Sequence, residues 1–79
     1  MNLDRKPVRE FRCGDVIANV WANRMIGRNE WYCVTFSRRY KKDGRWNFVT
    51  SLRYRDLMNA RRAARMAHIW IWWHGPGSA

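Results

Sequence analysis

The chain is short of acidic residues. Six of its 79 residues are Asp or Glu, against 16 Lys or Arg, and the formal net charge is +10. The few carboxylates are scattered, so the sequence offers no pair for general acid–base catalysis, and it has no glycine-rich phosphate loop. We therefore expect a protein that is not an enzyme. The excess of cations favours a polyanionic partner, nucleic acid before membrane, over a charge kept only for solubility.

Soft metal ligands are also scarce. The two cysteines and two histidines lack the paired short spacings of a zinc site, so we expect no metal and no cofactor. In the strand alternation described below, Cys13 points inward and Cys33 outward, which argues against a disulfide between them. Free thiols are typical of a reducing compartment, so we predict a cytoplasmic protein that could associate with the nucleoid.

Long apolar runs are absent as well. No segment approaches the roughly 20 apolar residues that a membrane-spanning helix requires. The initial stretch MNLDRKPV lacks the apolar centre of a signal peptide. The sequence therefore predicts neither a membrane span nor a secretory leader.

The strongest local signal is a hairpin at residues 31–52. Two runs with a period of two residues flank a Lys-Lys-Asp-Gly turn, and Asp43-Gly44 favours a tight turn because glycine accepts a positive φ. Alternation gives each strand an inner and an outer face. We predict that four large aromatic residues fill the inner face: Tyr32, Phe36, Trp46 and Phe48.

Two further strands precede this hairpin. Val8 to Cys13 and Val16 to Trp21 alternate in the same way, and Gly14-Asp15 between them is either a turn or a bulge in one long strand. Residues 23–29 are predicted to form a loop. Together the four strands predict an antiparallel meander.

From Tyr54 to Trp73 the apolar residues recur at the spacing of an α-helix. We expect a stripe of mostly alanine to lie across the inner face of the sheet, formed by Leu57, Ala60, Ala64, Ala67 and Ile71. The predicted fold is α+β, a curved four-stranded antiparallel sheet followed by one C-terminal helix. Residues 8–73 would form the domain, with a flexible arm at 1–7 and a flexible tail at 74–79.

The outer face of the sheet combines the groups that suit single-stranded nucleic acid. Cations and hydrogen-bond donors bind phosphates, and exposed aromatic rings stack on unpaired bases. The predicted binding residues are Trp21, Trp31, Thr35, Ser37, Arg39, Lys41, Lys42, Arg45, Asn47 and Arg53. Neutralising about five phosphates would give log affinity a slope of roughly −3.5 against log salt. Alternatively, Trp21 and Trp31 are edge residues tucked under the loop, and the choice between DNA and RNA stays open.

The helix end from Ile69 to Trp73 is too apolar to be exposed in a monomer. We predict a homodimer that buries part of it, with contacts from Ala67, Trp70, Ile71 and Trp73. Two alternatives are a protein-interaction module that docks through this aromatic end and an anchor at a membrane interface. The other side of the helix is either a solvated face or a binding surface, and it carries Arg61, Arg62 and Arg65.

Several stretches carry a resemblance to known proteins. The runs VREFRCGDVIANVW and WYCVTFSRRYKKDGRWNFVTSLRYRDL, with the later spacing of Ala63, Ala64, Ala67, His68, Trp70 and Ile71, resemble a family of short bacterial proteins. The layout is similar to the single-stranded-DNA-binding coactivator superfamily of positive cofactor four and the Whirly proteins. That resemblance implies a curved sheet that binds single strands, a dimer formed through the helical region, and a role in transcription. It also implies a basic hairpin that grips the strand through Arg39, Lys41, Lys42 and Arg45.

Overall fold

A single four-stranded sheet followed by a helix forms the protein in a computed structural model, which describes residues 6–23 and 30–74. The elements are β1 (Arg9–Cys13), β2 (Val16–Asn23), β3 (Trp31–Lys42), β4 (Arg45–Val49), a 3-10 turn (Tyr54–Asp56) and α1 (Leu57–His74). The strands are antiparallel in the order β1-β2-β3-β4, which confirms the predicted α+β fold. The predicted arm, loop and tail fall largely on residues 1–5, 24–29 and 75–79, outside the described residues.

Two tight turns set the register of the outer strand pairs. Gly14-Asp15 is a two-residue hairpin turn, not a bulge, because Cys13 pairs directly with Val16. Its glycine has φ 59°, whereas Asp43 and Gly44 have φ 52° and 75°. Two successive positive φ values are the type I′ pattern, whose twist matches that of the flanking strands. Both turns therefore join their strands without an extra residue.

The core lies between α1 and the inner face of β1 and β2. Phe11, Ala18 and Val20 pack against Ala63 and Ala67, and all five side chains are buried. The small residues on both layers let the helix backbone approach the sheet closely. Larger half-buried side chains surround this centre, among them Tyr32, Val34, Phe36, Trp70 and Ile71.

A carboxylate clamp anchors the start of α1. Arg53 donates hydrogen bonds from Nε and Nη2 to the carboxylate of Asp56, at 2.8 and 3.0 Å, and a third from its backbone N–H at 2.8 Å. Arg38 of β3 places its Nε 3.5 Å from the same carboxylate. Because the Arg53 hydrogen bonds favour the charged form, the pKa of Asp56 is lowered to about 2. The expectation that Arg53 lies on the outer face is wrong, since its guanidinium holds this clamp.

The clamp also explains why α1 is rotated relative to the predicted stripe. Leu57 and Ala64 are exposed, so their prediction as sheet contacts is wrong, whereas Ala63 is buried. One face of a helix repeats at i+7 and i+11. An Asp56 held against the sheet therefore directs Ala63 and Ala67 towards it.

The helix covers only part of the sheet. It packs on β2 and β1, meets the margin of β3, and leaves β4 outside its main footprint. The sheet side opposite α1 is covered by no other element within residues 6–23 and 30–74. That side is called the helix-free face below.

Candidate nucleic-acid interface

The helix-free face is built from alternate residues of all four strands. Paired residues of an antiparallel sheet point to the same side, so the register assigns each position to a face. The face carries Glu10, Arg12, Ile17, Asn19, Trp21, Trp31, Cys33, Thr35, Ser37, Arg39, Lys41, Trp46 and Phe48. The predicted residues of β2 and β3 are therefore brought together on one side.

The prediction for β4 is wrong. Trp46 and Phe48 were expected in the core, but they pair with Lys41 and Arg39 on the helix-free face, where they are 51% and 62% exposed. The two-residue turn is the physical reason. It pairs odd-numbered positions of β3 with even-numbered positions of β4, and a shift of one residue exchanges the faces of a strand.

The same register removes three predicted residues from the face. Lys42 pairs with Arg45, and Tyr40 pairs with Asn47, so all of them lie on the side that carries α1. Asn47 also turns its amide back to the main chain, where Nδ2 donates a hydrogen bond of 3.2 Å to the carbonyl oxygen of Arg45. The expected outer placement of Arg45 and Asn47 is therefore a second consequence of the wrong phase, whereas Lys42, which was expected in the turn, is the last residue of β3.

At one end of the face, a tryptophan of β2 is hydrogen-bonded to a residue of β3. The indole Nε1 of Trp21 donates a hydrogen bond of 2.8 Å to Oγ1 of Thr35, which confirms that the two lie on one side of the sheet. Trp31 is 46% exposed. Cys33 accepts a hydrogen bond from Nδ2 of Asn23 at 3.2 Å. This end therefore presents one open aromatic ring beside groups that already have partners.

The other end concentrates charge and aromatic surface. The guanidinium carbon of Arg39 lies 4.5 Å from the centre of the Trp46 ring, and Nζ of Lys41 lies 5.7 Å from it. Both distances are within the range of cation–π attraction. Asp15 places Oδ1 3.3 Å from Nε of Arg39, and its carbonyl oxygen accepts a hydrogen bond from the Arg39 backbone N–H at 2.9 Å. The β1–β2 turn thus holds Arg39 over Trp46.

A shallow groove of about 420 Å³ crosses the face beside this cluster. It is lined by Glu10, Arg12, Ile17, Asn19, Ser37, Arg39, Trp46 and Phe48. The side chain of Ile17 is buried, whereas those of Trp46 and Phe48 are largely exposed. The groove therefore brings two cations, one carboxylate, two aromatic rings and short polar side chains together.

The predicted dimer contacts divide into two groups. Ala67 is 1% exposed because it packs against the sheet, so its prediction as a contact between protomers is wrong. Trp70 is half-buried, with its ring edge-on to Tyr32 at 5.8 Å and stacked on His74 at 4.6 Å. Ile71 also packs against the core. Trp73 is 73% exposed, and the homodimer stays a prediction.

The cysteines lie as the strand phasing predicts. Cys13 faces α1, with its Sγ 3.7 Å from Sδ of Met66, and Cys33 is on the helix-free face. Both thiols are free. Across residues 6–23 and 30–74, no cluster of three potential metal ligands occurs. In the same residues, no helix has the length and apolar character needed to cross a membrane.

Comparisons with protein-family models, with curated proteins and with solved structures find no match to this chain.

Proposed function

We propose that the helix-free face binds single-stranded nucleic acid without strong sequence preference. The observation that carries the proposal is the cluster in which Arg39 and Lys41 lie over the exposed ring of Trp46, next to Phe48. A strand needs both features at once, because its phosphates are held by cations and its unstacked bases by aromatic rings.

Both kinds of group that a strand needs lie on the helix-free face. Arg12 and Arg39 in the groove and Lys41 beside it supply three cations for phosphates, and Trp46 and Phe48 supply rings for stacking. A base in a duplex is already stacked on both sides, so it cannot stack on an exposed aromatic ring. Sequence readout of a duplex requires an element that enters the major groove. The geometry therefore supports unpaired strands over duplexes.

In this proposal the protein is not an enzyme and acts in a role like that of a transcription coactivator. It would act in the cytoplasm, where it could associate with the nucleoid. The free thiols of Cys13 and Cys33 support a reducing compartment.

Fluorescence anisotropy of a labelled oligo(dT), compared with a duplex of equal length at low salt, tests the proposal. We expect tighter binding of the single strand and a weakening of about 5- to 150-fold for Trp46→Ala, since stacking contributes about 1–3 kcal/mol per base. Tyr54→Ala is the matched control, because Tyr54 is a 91% exposed aromatic residue outside the face. Equal binding of single strand and duplex, or equal effects of the two substitutions, would overturn the proposal.

A further inference from the structure

We propose that the solvent-facing side of α1 is a second strand-binding surface, so that one chain can hold two strands at once. The inference rests on the proposed function for the chemistry of the ligand but uses different residues. The surface, called the arginine stripe below, consists of Arg61, Arg62, Arg65 and Trp72, all exposed.

Helix geometry aligns these residues. Arg61 and Arg65 are four residues apart, about one turn and 6 Å along the axis. Trp72 follows Arg65 by seven residues, which returns to within about 20° of the same direction. The stripe thus sets two cations and one 58% exposed aromatic ring in a line, with Arg62 on its flank.

The charge of the stripe is not compensated within the described chain. α1 contains no acidic residue, and none of the ion pairs among residues 6–23 and 30–74 involves Arg61, Arg62 or Arg65. Like charges at i and i+4 on a helix are destabilising. An anion bound between Arg61 and Arg65 would remove that repulsion.

Charge complementarity selects the occupant. The α1 helix of a second copy would bring the same uncompensated arginines, and each copy already carries a net charge of +10. A polyanion has the opposite charge. A nucleic acid strand also supplies bases for Trp72, so both halves of the stripe are used.

The position of α1 makes the two surfaces usable together. The helix and the groove lie on opposite sides of the sheet. A strand on one side therefore does not cover the other, and two different strands can be joined through one protein molecule.

A bridging assay tests the inference. Immobilised oligo(dT) is loaded with protein and washed, and the retention of a second, fluorescent oligo(dT) is then measured. The amount of protein on the beads reports the proposed function, and the fluorescent oligo reports bridging, so failure of one is distinct from failure of the other. The wild-type protein should retain both.

The variant Arg61→Gln/Arg62→Gln/Arg65→Gln should still load onto the beads but retain at least about fivefold less of the second oligo. Its charge-matched control is Lys6→Gln/Lys42→Gln/Arg45→Gln, which removes three exposed cations from outside both surfaces and should bridge like the wild type. Trp72→Ala should also lower retention without changing the cationic charge.

Three results would overturn the inference. The first is equal bridging by the stripe variant and its control. The second is a wild-type dimer by light scattering whose mass falls to that of a monomer in the stripe variant, because a second copy would then be the occupant. The third is a loss of binding to phosphatidylglycerol vesicles in the stripe variant while bridging persists, because the occupant would then be a lipid surface.

Discussion

The two lysines at the end of β3 give a matched test of which sheet face binds the strand. Lys41 and Lys42 are adjacent, identical in type and both exposed. Lys41 pairs with Trp46 on the helix-free face, whereas Lys42 pairs with Arg45 on the other. Replacing either by alanine removes one charge at the same end of the hairpin, so a difference between the variants reports the direction of the side chain.

The expected difference in affinity between the two variants follows from the release of counterions when cations bind phosphates. Three cations on the helix-free face, Arg12, Arg39 and Lys41, should give log affinity a slope of about −2 against log salt, at about 0.7 per phosphate contact for a single strand. Lys41→Ala should make that slope shallower by about 0.7. The same relation predicts a loss of affinity of about eightfold at 50 mM salt and about threefold at 200 mM salt. Lys42→Ala should leave the slope unchanged.

Anisotropy titrations of labelled oligo(dT) between 50 mM and 1 M salt provide the measurement. Near 1 M the counterion term vanishes, so any remaining difference for Lys41→Ala reports the uncovering of the Trp46 ring, which Nζ of Lys41 overlies at 5.7 Å. A loss of slope for Lys42→Ala that equals or exceeds the loss for Lys41→Ala would refute the assignment of the binding face. A slope near −3.5 in the wild type would show that cations beyond the helix-free face take part.

Two further predictions concern stability. The pKa of Asp56 falls from 3.8 to about 2 on folding, so its stabilising contribution is complete above about pH 5 and is lost as pH falls towards 2. Urea midpoints of the wild type should drop in that window more steeply than those of Asp56→Asn. Gly14→Ala should lower the urea midpoint more than Gly44→Ala does. Both positions have positive φ, at a cost of about 1–2 kcal/mol for alanine, but only at Gly14 must the new Cβ also displace the terminal amide of the Asn59 side chain, which adds a smaller cost. Equal decreases of the urea midpoint for Gly14→Ala and Gly44→Ala would contradict the second prediction. Wild type and Asp56→Asn with the same pH dependence of the urea midpoint would contradict the first.

The strands and their order could be predicted from the sequence because the alternation and turn signals that define them are local. Period-two runs and the turn signals at Gly14-Asp15 and Asp43-Gly44 predicted four strands in their observed order. The faces of β2 and β3 also followed from the pattern, since small aliphatic side chains at Val16, Ala18 and Val20 alternate with Asn19 and Trp21 on the other face. The residues of the candidate site on β2 and β3 were therefore predicted together.

The phase of α1 could not be predicted from its own sequence. Alanines at positions 60, 63, 64 and 67 form two overlapping stripes of nearly equal character. The choice between them depends on the clamp of Asp56 by Arg53 and Arg38, which joins residues from different elements. A tertiary contact of this kind leaves no periodic signal in a single sequence.

The face of β4 could be predicted from the number of residues in the preceding turn. Once the turn is limited to Asp43-Gly44, the register follows by counting, and Trp46 and Phe48 must share a face with Arg39 and Lys41. Hydrophobicity argued for the opposite face, because large aromatic residues usually lie in a core. The side of β4 that faces α1 lies outside the main footprint of that helix, so turning these rings over would not place them in the core. Their exposure next to Arg39 and Lys41 is instead the arrangement on which the proposed binding of a stacking, polyanionic ligand rests.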